Sequence, residues 1–263
     1  MDKVEILKQL ETFGFAIQKN IISHSECNKM IKSLEEIKNE KIRNKKLWNT
    51  KAQIQLFNVH LEKPEIFLNK IDIPKVMNVV SKVLREDFIL SNFNASKSGV
   101  KGGNRIHIDS RIPTSDFKNT IQIAVLLCLD EFNSENGATI VYPFSHKSGM
   151  DPRDLRGKKV EGAIQACAPK GSAIYTLGQT WHDVGPNLKN KRRWGIIAYY
   201  SRWWIKPTYD FTKCGQEIYA RLTTRQKALF GFNTRPPTDA YKRTHTVISV
   251  KDLPDNYNET LSL

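Results

Sequence analysis

The pattern of apolar runs predicts a mainly β chain with flanking helices, its strands wound into a double-stranded β-helix, or jelly roll. Three observations predict it. Eight short β-rich runs follow one another at 88–94, 104–109, 120–129, 138–142, 162–167, 172–176, 180–184 and 194–201. Turn signals separate them, among them Gly102-Gly103, Asn136-Gly137, Pro169-Lys170-Gly171 and Gly185-Pro186. Apolar residues at helical spacing are concentrated before residue 87. Many short strands after a helical preface suit a closed antiparallel architecture better than an alternating βαβ one.

Taken in order, residues 2–12 read as a helix and Phe15 to Gln18 as a short strand. Ser23 with Glu26 three positions on forms a capping box, and Cys27, Met30, Ile31, Leu34 and Ile37 then recur on one helical face. Arg43 to Ala52 is polar and basic and reads as a mobile loop or lid near the site. Pro74 suits a first helical position ahead of Val76, Val79, Val80, Val83 and Leu84. Beyond the last strand, Phe211 to Leu229 has helical character, Arg235-Pro236-Pro237 ends it, and Phe230 and Phe232 read as packing residues. The expectation is one domain over 1–263, with a helical part at 1–86, a jelly-roll core at 87–205 and a C-terminal extension at 206–263.

The 263 residues carry 41 Lys and Arg against 27 Asp and Glu, a formal charge of +14 that raises the question of a polyanionic partner. The basic residues are spread along the chain, with clusters only at Lys38 to Lys51 and Lys189 to Arg193, and no nucleic-acid motif accompanies them. A solvated lysine-rich surface is therefore expected, with no specific nucleic acid. Lys97, Lys101, Arg105 and Arg111 would bring part of the field to a pocket mouth and favour an anionic small molecule. Cys27, Cys128, Cys167 and Cys214 form no C-x-x-C, which points to reduced thiols, with Cys128 a small core residue. The N-terminal residues lack a signal-peptide core and no apolar stretch reaches membrane-spanning length, so the expected location is the cytoplasm.

His107-Ile108-Asp109 carries the chemistry. Residues i and i+2 of a strand share a face, so both side chains would aim at one point. A second imidazole from His182 would complete two histidines and a carboxylate, the set that holds Fe(II) with positions left open for oxygen. Arg193, eleven residues after His182, could offer a planar fork of donors to a carboxylate near the metal, as a 2-oxo acid requires. Arg192 competes for that role, while an isolated H-x-D is common by chance; the combination in this order is what gives the reading its force. His146 reads as structural or as a support behind the ligands, His24, His60 and His245 lack metal-like spacing, and Trp181, Trp203 and Trp204 read as core or pocket-wall aromatics.

Four segments together resemble the phytanoyl-CoA dioxygenase (PhyH) family of Fe(II)- and 2-oxoglutarate-dependent oxygenases. They are Phe13-Gly14-Phe15-Ala16-Ile17, His107-Ile108-Asp109, the run Asn136-Gly137-Ala138 to Pro143-Phe144-Ser145-His146-Lys147, and His182 to Trp204. The resemblance implies a cupin-like jelly roll, His107, Asp109 and His182 as iron ligands, and Arg193 on the distal carboxylate of 2-oxoglutarate. It places Asn94 and Gln122 as further cosubstrate contacts. Ile108 stands where relatives often have Gln or Ser, and Val184 where some offer a hydroxyl. Related halogenases replace the carboxylate ligand by a small residue; Asp109 is retained here, which favours hydroxylation or a similar oxidation.

The function expected is therefore an Fe(II)-, 2-oxoglutarate- and O2-dependent dioxygenase acting on an aliphatic C–H of a small polar or anionic metabolite, such as an amino acid or natural-product intermediate. Desaturation or ring formation by the same chemistry is the first alternative. A basic nucleic-acid-binding protein and a cupin-like binding protein without turnover, which could hold zinc, are the others. Salt-dependent retention on polyanions without iron would distinguish the nucleic-acid reading.

Overall fold

The computed structural model describes residues 3–50, 53–85, 87–99, 106–155, 159–189, 191, 193–236, 241 and 247–258. Helix α1 (Lys3–Phe13) buries Ile6 and Leu10, and Gly14, at φ +83°, turns the chain into β1 (Phe15–Gln18). Helix α2 (His24–Arg43) opens on the expected capping box. Ser23 Oγ accepts from the Glu26 N–H at 3.2 Å, and the Glu26 carboxylate accepts from the Ser23 N–H at 3.2 Å. Its stripe Cys27, Met30, Ile31, Leu34 and Ile37 is buried, as is that of α5 (Pro74–Leu84), which begins on Pro74.

Part of the segment expected to be a mobile loop or lid is a strand. The segment after Arg43 contributes β2 (Trp48–Asn49), which pairs antiparallel with β3 (Gln53–Leu56) and extends a sheet. Residues 51 and 52 lie outside the described set. Gln-Ile-Gln-Leu alternates polar and apolar side chains, a strand signal of period two that its short length obscures. Two short helices, α3 (Val59–Glu62) and α4 (Pro64–Phe67), lead on toward α5.

The major sheet has seven strands in the order β1, β8, β5, β10, β4, β3, β2, built from β4 (Phe88–Ser98), β5 (Gln122–Cys128), β8 (Ala173–Leu177) and β10 (Trp194–Arg202). The minor sheet runs β7 (Ile164–Gln165), β6 (Ile140–Val141), β9 (His182–Asp183). Every strand pairing among the described residues is antiparallel. The run expected at 104–109 forms no strand among the described residues; it enters as a single bridge, His107 to His182, and residues 104 and 105 are not described.

Alternation along these strands sorts residues into two environments. Val125, Leu127, Tyr175, Trp194, Ile196 and Ala198 point outward into a core shared with α1, α2 and α5. Leu126, Cys128 and Ile174 point between the sheets and pack on Phe132, Ala138, Val141, Ala166 and Ala168. Cys128 is thus the small core residue expected. The same parity corrects Lys97. It faces outward, 4.0 Å from Glu35 and over the Trp194 ring at 5.9 Å, away from any pocket mouth.

At the C-terminal side, Phe211, Tyr219, Leu229, Phe230 and Phe232 join the outer core. The helical character of 211–229 resolves into a 3-10 turn and two short helices, α6 (Gln216–Tyr219) and α7 (Thr224–Leu229). Gly215 at φ +81° and a capping box at Thr223 and Gln226 impose the breaks.

Candidate active site

His107 and His182 meet backbone to backbone. Each N–H donates to the other's carbonyl at 3.1 Å, so two segments far apart in sequence hold their imidazoles side by side, with ring centroids 4.2 Å apart. Asp109 is brought in by the carbonyl of Gly178, which accepts from both the Asp109 N–H at 2.8 Å and the Ser110 N–H at 2.9 Å. The three ligand atoms lie within 4.8 Å of one another. His107 Nε2 is 3.8 Å from Asp109 Oδ1 and His182 Nε2 is 3.5 Å from Asp109 Oδ2. Such distances are too long for strong hydrogen bonds and suit atoms sharing one ion. Asp109 Oδ2 is buried without a hydrogen-bond partner among the described residues, which also fits a cation. The side chain of His107 is 37% exposed against 8% for Asp109, so the constellation opens on the His107 side.

The neighbouring residues fix the histidines. His182 Nδ1 lies 3.0 Å from the Thr180 carbonyl. A carbonyl only accepts, so Nδ1 carries the proton and Nε2 presents its lone pair to a metal. The chain just before His182 is held in turn: the Trp181 N–H donates to Ser145 Oγ at 2.9 Å and the indole N–H to the Met150 carbonyl at 3.0 Å. His146 is 1% exposed, its Nε2 is 3.1 Å from the Glu11 carbonyl, and it packs under Gly14, where a Cβ would meet its ring at 2.6 Å. It packs against the end of α1 and is not one of the three grouped ligands.

The Asn-Gly-Ala run also has a physical role. The Asn136 side chain accepts from the Asn133 N–H at 2.8 Å and donates to the Glu131 carbonyl at 2.7 Å, tying the turn. A Cβ on Gly137 would stand 2.8 Å from the Gly185 carbonyl, and one on Gly185 would run into the Ala138 carbonyl. The two glycines let the turn and the segment after His182 lie back to back.

Two cavities meet at the triad. The smaller, about 130 Å3, is lined by Gln53, Gln55, Ser96, Thr139, Thr176 and Arg193 along with the three triad residues. The larger, about 780 Å3, takes in Asn92, Asn94, Arg111, Gln122 and Lys206 besides His107 and Asp109. Gln55, His107, Asp109, Ile197 and Tyr199 border both. Burial, and then the charge of Asp109, push the Tyr199 hydroxyl well above its ordinary pKa, so it is a neutral donor beside that carboxylate.

Arg193 is 4% exposed. Its Nε has no hydrogen-bond partner among the described residues, and its guanidinium lies over the Phe132 ring at 4.2 Å. Burial lowers its pKa to about 10, with the charge of Asp130 acting in the opposite direction. Arg192 is not described, nor are Lys101 and Arg105. Asn94 and Gln122 line the larger cavity, while Arg193 lines the smaller one. Asn94 Oδ1 accepts from the Asn58 N–H at 3.1 Å, leaving its NH2 for the cavity. The wall residues Gln53, Gln55, Ser96, Thr139 and Thr176 carry no sequence motif: the first two lie on the short β3, Ser96 and Thr176 sit singly on β4 and β8, and Thr139 precedes β6. Register offers the missing signal, since Gln55 pairs with both Trp48 and Ser96 and all three share one face of the sheet.

A jelly roll with two histidines and a carboxylate at the junction of two cavities defines a class, and comparison with known proteins defines the family. The sequence model described as Phytanoyl-CoA dioxygenase (PhyH) matches residues 10–195, and the chain belongs to that family. An uncharacterised protein of Mycobacterium tuberculosis, Rv1501, is 26% identical over 182 residues, covering 66% of this chain and 65% of its own length. Dioxygenase af480 of Aspergillus fumigatus is 24% identical over 165 residues, 61% of this chain and 53% of its own. The matched region thus spans about two thirds or less of these relatives. HygX of Streptomyces hygroscopicus, solved with nickel and 2-oxoglutarate bound, superposes with a TM-score of 0.62 at 13% identity over 77% of this chain and 88% of its own, a likeness of fold. No helix among the described residues is long and apolar enough to cross a membrane.

Proposed function

We propose that this protein is an Fe(II)- and 2-oxoglutarate-dependent dioxygenase that hydroxylates an aliphatic C–H of a small polar or anionic metabolite. Arg193 carries the reading. A buried guanidinium with an orphaned Nε is costly unless an anion completes it, and this one opens onto a small cavity that also touches all three triad residues. The donor set fits the cofactors: two imidazoles and a carboxylate suit Fe(II), and a fork of donors beside them suits a diacid. When bound, iron and 2-oxoglutarate would supply the oxidising chemistry with O2 as co-substrate.

The chain's own residues do the rest. His107, Asp109 and His182 hold the metal, with His182 kept in the ligating tautomer by Thr180. Arg193 orients the distal carboxylate. Val184 offers no hydroxyl, and Ser96, Thr139 and Thr176 on the same wall take that part. Asn94 and Gln122, on the larger cavity, are assigned to the primary substrate. The polar walls and the cations Arg111 and Lys206 support a hydrophilic, anionic substrate. The shared core of the N-terminal helices, the sheet and the C-terminal segments supports one domain, and the four free thiols support a reducing, cytoplasmic setting.

Anaerobic binding of Fe(II) and 2-oxoglutarate, followed by succinate release in air, tests the proposal in wild type, His107→Ala and Arg193→Ala. Wild type should bind both and release succinate. His107→Ala should abolish release, and Arg193→Ala should weaken 2-oxoglutarate binding by about 30-fold or more, the worth of charge-assisted hydrogen bonds. Wild type that binds neither would refute the reading.

A further inference from the structure

We propose that the substrate has two chemically distinct parts, and that a second cavity beside the active site receives the part that is not oxidised. The inference rests on the oxygenase reading and concerns its substrate class. The second cavity, about 940 Å3, lies between the end of the last major-sheet strand and the C-terminal helices. It shares the unbroken segment Ile205-Lys206-Pro207-Thr208 with the larger active-site cavity, so one short stretch of chain is the wall of both.

The two sides of that wall differ in chemistry. Toward the triad stand hydroxyls and amides, including Ser91, Asn92, Asn94 and Ser201, with Arg111. On the other side Ile89 and Phe230, 4% and 3% exposed, form an apolar floor, and Trp204, 50% exposed, offers an indole face at the rim. A half-exposed indole above an apolar floor binds flat or apolar groups.

The wall is fixed in place. At Ser91 the pairing of β4 with β10 slips by one residue, since Tyr199 pairs with Asn92 and Tyr200 with Leu90. The displaced Ser91 accepts the Thr208 N–H on its Oγ at 3.0 Å and the Tyr209 N–H on its carbonyl at 3.3 Å, and its hydroxyl lies 3.1 Å from that of Thr208. A bulge next to the triad therefore sets the spacing between the two cavities. Lys206 borders both and pairs with no carboxylate among the described residues, whereas Asp210 is engaged by the Thr212 N–H at 3.1 Å. The matching ligand has a polar, oxidisable part, an anionic group such as phosphate or carboxylate near Lys206, and a flat apolar part against Trp204.

The probes are 2-naphthyl phosphate and inorganic phosphate, titrated calorimetrically without oxygen into the protein loaded with Fe(II) and 2-oxoglutarate. The naphthyl ester should bind about tenfold more tightly than phosphate, the worth of one well-packed aromatic contact. Trp204→Ala should remove that preference, Trp204→Phe should keep most of it, and Lys206→Gln should weaken both probes. Equal binding of the two probes by wild type, or a preference that survives Trp204→Ala, overturns the two-part substrate. Succinate release by wild type decides the oxygenase reading separately, so failure of one is not mistaken for failure of the other.

Discussion

At the scale of the residue, Arg193 Nε and both ring nitrogens of His60 are buried without a hydrogen-bond partner among the described residues, and Arg193 lines the small cavity beside the triad. Arg193 keeps its charge inside the protein, which destabilises the unliganded fold unless stacking on Phe132 offsets it. Replacement by leucine, which is shorter but carries no charge to bury, should therefore leave the metal-free protein as stable as wild type or more so, by up to ~3 kcal/mol, while 2-oxoglutarate binding is lost. Urea unfolding of Arg193→Leu beside wild type checks this. A loss of stability above ~1 kcal/mol would show that the guanidinium serves the fold, and the anion-binding role would lose its main support. Arg193 was legible in the sequence through its distance from His182, but its orphaned Nε was not, because burial depends on strands from remote parts of the chain.

At the scale of the element, legibility followed length and period. Strands β4, β5 and β10 are long enough for apolar residues to declare them, and the helices announced themselves through Ser23, Glu26 and Pro74. The two-residue strands of the minor sheet were visible only as the middles of longer runs, and β3 was hidden by its glutamines. Lys97 was misplaced because one residue of parity separates a cavity wall from a helix-facing position, and parity requires a known register. The Asn136-Gly137 turn was conspicuous, yet its reason appears only beside Gly185. That contact makes a prediction about packing between elements. Gly185→Ala should cost at least ~2 kcal/mol and weaken metal and 2-oxoglutarate binding together, since the collision is with backbone and His182 lies on the adjoining strand. Denaturant midpoints and binding on the same preparation test it; unchanged values would mean that the turn moves aside freely.

At the scale of the whole molecule, stability should depend on acidity through a histidine that is not among the candidate metal ligands. His60 is fully buried, neither ring nitrogen has a hydrogen-bond partner among the described residues, and Phe93, Phe211 and Phe230 surround it at 5.0–5.6 Å. Burial lowers its pKa to about 3, far below the 6.5 of an exposed imidazole. Between those values the unfolded chain binds a proton that the folded chain does not, so stability is complete above about pH 6.5 and falls as pH drops toward 3. At pH 5 the contribution amounts to about 2 kcal/mol, and His60→Phe should abolish it. Unfolding curves of both proteins from pH 7 to 5 should therefore diverge; parallel curves would mean that His60 is reached by water. The reciprocal hydrogen bonds between His107 and His182 have a different reach. The two positions are roughly 75 residues apart, so an ion held by both would staple the intervening chain into a closed loop, as a disulfide does. Loop closure of that length is worth about 4.5 kcal/mol in the chain-entropy account. A chelator would then cut a tether in the scaffold as well as empty a reaction centre.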